Sequence, residues 1–320
     1  MSQPPAASVI DVHSHFIPEA YWAAVTERIA ADPSFAALAT ANNLSPQPAG
    51  GPMRTLTARL HEMDAAGVDV SVLSLPPPGA AIRPADTGLA SAINDGLIEA
   101  AGQFPDRLRV LAVLPLPDTD ASLAELDRLR GHELVRGVAV TTTASGWRLD
   151  DPGLRPVFRR LSELDFPLLA HPALEPLPDV YADFALTASV SPVVSSTIGV
   201  LRMIYAGTFD HVPGLTVIVP HLGGTIPYLM QRLADLGHAS GCAHDLAYYL
   251  ARNLILDNCS YHRPAFRCAL DTVGAGRLCL GTDYPFRGAL RRAVDDVRSQ
   301  ALPAGEESAI LGGNVARWFS

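Results

Sequence analysis

The sequence contains no lysine: all 24 basic residues among its 320 are arginines. This absence excludes a Schiff-base lysine, a pyridoxal-phosphate lysine and a Walker-type phosphate loop, because each depends on the lysine amino group. It also excludes a carboxylated lysine that bridges two metal ions, so we expect any metal centre to be mononuclear. Basic runs are absent too, and the formal net charge of -9 argues against a nucleic-acid partner.

Cysteine is scarce, and the four cysteines show neither CxxC pairing nor the density of a secreted disulfide scaffold. We therefore expect them to be buried thiols in a reducing compartment. Residues 1–5 carry no basic or apolar signal segment, and no apolar run approaches the length of a membrane span. The sequence thus predicts a cytoplasmic protein without a membrane partner.

Short runs rich in valine, isoleucine and leucine alternate with helical patterns along the whole chain. The hydrophobic content of 48% is typical of a soluble globular protein with a large core. The apolar runs are 9–12, 69–75, 109–115, 135–140, 167–171, 215–221, 254–257 and 277–283. The helical patterns include 59–66, 87–103, 121–130, 192–206 and a final helix at 306–319.

Apolar runs that are continuous rather than alternating indicate strands covered on both faces, and hence a parallel sheet. Eight strand-then-helix units in this length predict an α/β fold of the TIM-type (β/α)8 barrel class, built as a single domain over residues 1–320. A doubly wound open sheet is the alternative, but no glycine-rich fingerprint follows the first strand. Residues 17–55 and 174–212 exceed ordinary loop length and are predicted to be insertions after strands one and five.

Five side chains able to bind a metal or transfer a proton stand at the ends of these strands. His13 and His15 end the first strand, and their spacing of two points both imidazoles the same way. His171 ends the fifth strand, His221 the sixth and Asp283 the eighth. The carboxyl ends of all barrel strands open onto one mouth, so the five side chains are predicted to converge there.

Three imidazoles and one carboxylate suit zinc, manganese or iron and leave coordination positions for water or substrate. His221 is the candidate for a general acid or base, with a fourth-ligand or structural role as the alternative. Asp283 is a candidate both for metal binding and for proton transfer. His262 follows strand seven and is a candidate for the pocket.

These residues lie in motifs that resemble the amidohydrolase superfamily, specifically the amidohydrolase-2 branch typified by aminocarboxymuconate-semialdehyde decarboxylase. The matching segments are IDVHSHFIP at 10–18, ARLHEMD at 58–64, AHP at 170–172, PHLGGTIP at 220–227 and LGTDYPF at 280–286. A finer resemblance, to methylsalicylate decarboxylase-like members, rests on residues 74–79 and 191–209.

The resemblance implies a metal-dependent, non-oxidative decarboxylase that works as a homodimer. His13, His15, His171 and Asp283 match the family's metal ligands, His221 matches its catalytic histidine, and Arg59 matches an arginine that binds the substrate carboxylate. Zinc is the cation expected, with manganese as the alternative. Phe16 and Phe286 flank the ligands and are candidates to pack against the substrate, with core packing as the alternative.

The expected substrate is a small aromatic or unsaturated carboxylic acid. Arg232 matches a family arginine, but residues 237–240 lack a later one, which favours a less charged acid of the hydroxybenzoate or methylsalicylate type. A hydrolase or hydratase that acts on an amide, lactone or carbon–carbon bond with the same ligands is the alternative. A non-catalytic barrel protein is the third hypothesis, and the complete set of metal-ligand residues argues against it.

Overall fold

Eight short parallel strands form the centre of the structure, and helices surround them. The computed structural model describes residues 8–41, 44, 50–144, 147–172, 184–236, 241–286 and 290–320. The strands are β1 Ile10–His15, β2 Val70–Ser74, β3 Leu108–Ala112, β4 Val135–Thr141, β5 Leu168–His171, β6 Val217–Val219, β7 Leu254–Asp257 and β8 Leu278–Cys279. They pair in chain order from β1 to β8.

The sheet closes on itself where the first strand meets the chain that follows β8. The amide of Val12 donates to the Leu280 carbonyl at 3.1 Å, and the amide of His15 donates to the Tyr284 carbonyl at 2.8 Å. Ser14 and Tyr284 form a parallel bridge at the same seam. The predicted eight-stranded barrel is therefore confirmed.

The helices follow the strands in the order expected of a (β/α)8 barrel. The longer ones are α1 Glu19–Ala31, α2 Pro33–Ala41, α3 Leu56–Ala66, α4 Thr87–Gly102, α5 Thr119–Leu129, α6 Arg155–Glu163, α7 Ser191–Tyr205, α8 Ile226–Leu236, α9 Leu246–Asn253, α10 Arg263–Val273, α11 Leu290–Arg298 and α12 Ala304–Leu311. Short helical turns occupy Gly79–Ile82, Pro152–Leu154, Leu186–Ser189, Thr208–His211, Pro220–Gly223, Ala275–Arg277, Gly313–Val315 and Ala316–Phe319. A two-stranded ribbon joins Thr143–Ala144 to Trp147–Arg148.

Both long segments after strands contain helices of their own. Helices α1 and α2 precede α3, which is the helix that leads into β2. After β5 the chain forms α7 before it reaches β6, while residues 173–183 lie outside the described part.

Several helices begin at an aspartate that accepts a hydrogen bond from the first turn: Asp86 accepts from the Leu89 amide, and Asp118 accepts from the Ala121 amide.

Two apolar cores hold the barrel together. The larger one lies between the strands and the surrounding helices. The smaller one fills the barrel interior with one or two side chains from most strands, and Trp318 and Phe319 close it at the amino-terminal end of the strands. Its strand members are Ile10, Val12, Val70, Val72, Leu111, Leu169, Ile218, Ile255 and Cys279.

Two local predictions are wrong. The final helix predicted at 306–319 is broken into α12 and a separate turn, because Gly312 packs against the Ser8 carbonyl so closely that a Cβ would lie 1.9 Å from its oxygen. The sixth and eighth strands end before His221 and Asp283, whose left-handed backbone angles, with φ of 59° and 56°, are incompatible with strand geometry. His221 therefore lies in the turn Pro220–Gly223, and Asp283 lies in the loop after β8.

None of the four cysteines forms a disulfide. Cys259 and Cys279 are buried as predicted, whereas Cys242 and Cys268 are partly exposed. In the described part of the chain, no helix combines the length and the apolar character that a membrane crossing requires.

The barrel interior predicts a specific cost for truncating Leu169, which is fully buried two residues before His171. Leu169→Ala should lower the free energy of unfolding by about 2–5 kcal/mol, because it leaves a cavity beneath the metal-binding residues. Urea denaturation followed by circular dichroism measures this. The matched control is Leu236→Ala, which is 61% exposed and should change stability by less than about 0.5 kcal/mol. Equal losses of stability in the two variants would contradict the placement of Leu169 in the barrel interior.

Candidate metal centre

Four predicted ligands meet at the carboxyl end of the barrel. His13 and His15 come from β1, His171 from the end of β5, and Asp283 from the loop after β8. One ligand atom of each lies within 4.8 Å of the others, and all four residues are buried. The Asp283 Oδ1 atom lies 3.3 Å from His13 Nε2 and 3.0 Å from His15 Nε2.

The loop after β8 is held in place by a second carboxylate, Asp11. Its two oxygens accept from the Thr282 amide at 3.0 Å and from the Thr282 hydroxyl at 2.8 Å. The next amide, that of Asp283, donates to the His13 carbonyl at 2.7 Å. These bonds support the left-handed backbone at Asp283, which turns the carboxylate toward the histidines of β1.

Each ligand histidine uses Nδ1 for an outer contact and turns Nε2 toward the centre. The Nδ1 of His13 pairs with Asp257 at 2.7 Å, and that of His15 pairs with the Ser74 hydroxyl at 3.3 Å. The Nδ1 of His171 donates to the Pro172 carbonyl at 3.0 Å. Such contacts fix the tautomer and the ring orientation of metal-binding histidines.

Asp257 is a functional residue that the sequence analysis missed. It ends β7 and is fully buried. One oxygen binds the His13 ring, while the other accepts from the backbone amides of His221 at 2.8 Å and Cys259 at 3.0 Å. Its position was visible as a carboxylate at the carboxyl end of a barrel strand, the same signal that identified Asp283.

The charges of the site are set by burial and by the two carboxylates. Burial lowers the pKa of His15 and lowers that of His171 well below its usual value, so both are neutral ligands at pH 7. Burial also favours a lower pKa for His13, but the negative charges of Asp257 and Asp283 have the larger combined effect. They raise the pKa of His13 to about 10. Burial would raise the pKa of Asp283, yet His13 and the neighbouring histidines hold it well below the usual range.

His221 lies beside the four ligands. Its Nε2 is 3.7 Å from the Oδ2 atom of Asp283. Its left-handed backbone begins a tight turn through Gly224, where a Cβ would lie 2.4 Å from the Thr197 hydroxyl oxygen. The Asp257 carboxylate therefore orients His221 through its backbone and His13 through its ring.

The residues fit a bound cation. Among the described residues, the buried Nε2 atoms of His13 and His171 have no hydrogen-bond partner, which is unfavourable in a protein interior. A divalent cation would satisfy both nitrogens and would take the place of the proton that the carboxylates hold on His13. Three imidazoles and one carboxylate form a site of the kind that holds a single divalent metal ion.

The other predicted site residues surround the centre at different depths. Arg59 is fully buried between α3 and β1, where its guanidinium donates to the Ser14 hydroxyl at 2.8 Å and also to the His15 carbonyl. It stacks on the Tyr284 ring at 4.7 Å, and burial lowers its pKa to about 10. Arg59 thus braces the strand that carries two ligands.

Phe286 packs edge-on against the His15 ring with centroids 5.4 Å apart. Phe16 is buried in the outer core, and His262 is exposed at the start of α10. Arg232 is exposed on α8, and residues 237–240 lie outside the described part. The structure thus brings Phe286 into contact with His15, one of the proposed metal ligands, whereas His262 is exposed.

A cleft opens beside His171. Apolar side chains and backbone form most of its wall, and no arginine or acidic residue is found among its described lining residues. They are Leu75, Pro77, Pro78, Gly79, Ala80, Ala81, Val113, Leu114, Leu116, Ala139, Val140, Thr141, Trp147 and His171. Apolar lining with few polar groups is typical of a small-molecule pocket.

The sequence profile of the family described as Amidohydrolase matches residues 10–320. The chain belongs to this family. The motif resemblance is therefore confirmed, and the relatives fall in the predicted branch.

Two curated relatives of this amidohydrolase are decarboxylases of aromatic acids. The gamma-resorcylate decarboxylase of Rhizobium radiobacter is 30% identical over 285 residues, which cover 82% of this chain and 86% of the relative. The 6-methylsalicylic acid decarboxylase of Penicillium expansum is 26% identical and covers 97% of this chain and 95% of its own length.

A solved structure has the same fold. The 5-carboxyvanillate decarboxylase of Novosphingobium aromaticivorans is 25% identical, with a TM-score of 0.85 over 98% of this chain and 96% of that chain. It was crystallised with manganese and 4-hydroxy-3-methoxy-5-nitrobenzoic acid.

The double contact of Asp257 generates a prediction about metal affinity. Asp257→Asn removes the negative charge at the His13 ring and places an amide near the His221 backbone, so we expect affinity for zinc or manganese to fall about 10–100-fold. Competition with a chelator measures the dissociation constant. The exposed Asp271→Asn on α10 is the matched control and should bind metal like the unmodified protein. Unchanged affinity in Asp257→Asn would contradict this role.

Proposed function

We propose that this amidohydrolase is a metal-dependent, non-oxidative decarboxylase of a hydroxybenzoate- or methylsalicylate-type acid. The observation that carries the proposal is the buried cluster of His13, His15, His171 and Asp283 with His221 at its edge. The decarboxylases to which the chain is similar support the reaction class.

The proposed ligands are the three histidines and Asp283, and they hold one divalent cation. When bound, the cation would attract the substrate's carboxylate and neighbouring oxygen and stabilise negative charge on the ring. Zinc is the cation expected from the ligand types, while the manganese in the 5-carboxyvanillate decarboxylase supports manganese as the alternative.

The protein's own residues supply the proton that the reaction consumes. In the proposed step, Asp283 delivers a proton to the ring carbon that bears the carboxylate. The bond between that carbon and the carboxylate then breaks, its electron pair returns to the ring, and carbon dioxide leaves. Asp283 is otherwise ionised and receives this proton at Oδ2 from His221, whose Nε2 is 3.7 Å distant.

The cleft supports a substrate with a single carboxylate. Its apolar wall suits a ring, and its described lining offers no cationic side chain for a second carboxylate. The substrate-binding roles predicted for Arg59, Phe16, His262 and Phe286 stay predictions, as do the single-domain organisation and the cytoplasmic location.

The roles of the histidines predict two different defects. His13→Ala should lose both metal and decarboxylation, because it removes a ligand. His221→Ala should keep about one equivalent of metal but lose at least about 100-fold in kcat, the usual size of a proton-transfer contribution. Elemental analysis and carbon dioxide release measure the two effects, with the exposed His61→Ala as control. Full activity in both variants would contradict the assignment.

A panel of aromatic acids tests the reaction itself. We expect carbon dioxide release from 2-hydroxybenzoates and, in deuterated water, one deuterium at the former carboxyl position. Inertness toward these acids combined with turnover of lactones, amides or alkenes would favour the hydrolase or hydratase alternative and would overturn the proposal.

The homodimer is part of the proposal. Helices α7 and α8 meet where the Thr197 and Thr225 hydroxyls are 3.1 Å apart, and nearby Ile198 and Tyr228 are 52% and 82% exposed. Large apolar side chains exposed on adjacent helices are typical of a subunit interface.

Tyr228→Asp should therefore convert a dimer into a monomer, because a charge would be buried in the interface. Size-exclusion chromatography with light scattering measures the mass. Phe104→Asp is the matched control, since Phe104 is exposed beyond α4 and away from this face. A monomeric unmodified protein would contradict the proposal.

A further inference from the structure

The two oxygens of Asp283 face different groups of side chains. Oδ1 lies 3.3 Å and 3.0 Å from the Nε2 atoms of His13 and His15. Oδ2 lies 3.7 Å from the Nε2 of His221. A carboxylate arranged in this way is able to bridge two cations, one on each oxygen.

A thiol completes the group on the Oδ2 side. Cys259 follows the end of β7 by two residues and is only 1% exposed. Its Sγ, one nitrogen of His221 and one oxygen of Asp283 all lie within 4.8 Å of one another. The Cys259 amide is held by Asp257, the same carboxylate that holds the His221 amide.

The group contains a buried nitrogen that nothing in the described part of the protein satisfies. His221 is 8% exposed, and its Nδ1 has no hydrogen-bond partner among the described residues. One ring nitrogen of this buried histidine lies within 4.8 Å of a thiol sulfur and a carboxylate oxygen, a combination that suits a metal ion.

We propose that His221, Cys259 and Asp283 form a second metal site, which takes a thiophilic divalent cation such as zinc or cadmium. On binding, the Cys259 thiol loses its proton to solvent and binds as the thiolate. Asp283 bridges the two cations, which in two-metal sites lie about 3.5–4 Å apart. Manganese prefers oxygen ligands and does not fill this site.

The absence of lysine therefore does not by itself make the centre mononuclear. A thiolate from the loop after β7 and a bridging aspartate take the place of the carboxylated lysine. Occupation of the second site engages His221 and the Oδ2 of Asp283, so excess zinc inhibits the enzyme. This consequence rests on the proposed function, whereas the binding itself does not.

The test starts from the zinc holoenzyme with one equivalent bound and dialyses it against increasing zinc. The expected result is a second bound equivalent in the unmodified protein and one in Cys259→Ser and Cys259→Ala. The Cys268→Ser control, which changes a partly exposed thiol on α10, should still bind two. The manganese holoenzyme in excess manganese should stay at one.

Cobalt gives a readout that requires no variant. A second equivalent of cobalt added to the cobalt holoenzyme should produce a near-ultraviolet thiolate-to-cobalt charge-transfer band. A single zinc equivalent in the unmodified protein, no such band at two equivalents of cobalt, or two zinc equivalents in Cys259→Ala would each overturn the proposal. A protein that binds the second zinc ion but shows no decarboxylation in its one-zinc form would instead contradict the proposed function alone.

Discussion

The seam at which β1 meets the chain after β8 is the constraint on which the whole site depends. Backbone bonds from Val12 to Leu280 and from His15 to Tyr284 close the barrel there. They place a strand that carries two histidines beside a loop that carries the aspartate, although some 270 residues separate them in the chain. Without this closure the ligands come from opposite ends of the sequence and do not meet.

Two buried carboxylates convert that closure into a defined geometry. Asp11 fixes the backbone on which Asp283 stands, and Asp257 fixes the backbone on which His221 stands. In both cases the functional residue has a left-handed conformation that an unsupported loop does not keep. The strained backbone therefore lies at the two residues for which proton transfer is proposed. Buried hydrogen bonds to the carboxylates of Asp11 and Asp257 stabilise it.

The sequence was sufficient for the barrel and for the convergence of His13, His15, His171 and Asp283, because strand ends in this fold share one mouth. It was insufficient for the role of Asp257, which consists of contacts with a ring from β1 and an amide after β6. The break at Gly312 was equally hidden, since it depends on the approach of the Ser8 carbonyl. Pairings between distant segments have no local signature in a single sequence.

The cap formed by Trp318 and Phe319 beneath the barrel bears on how the chain folds during its synthesis. The first strand emerges early, but its second neighbour and the side chains that seal the interior follow about 270–310 residues later. The edge of β1 that pairs with the chain after β8 therefore lacks its hydrogen-bond partner until this last segment has been synthesised.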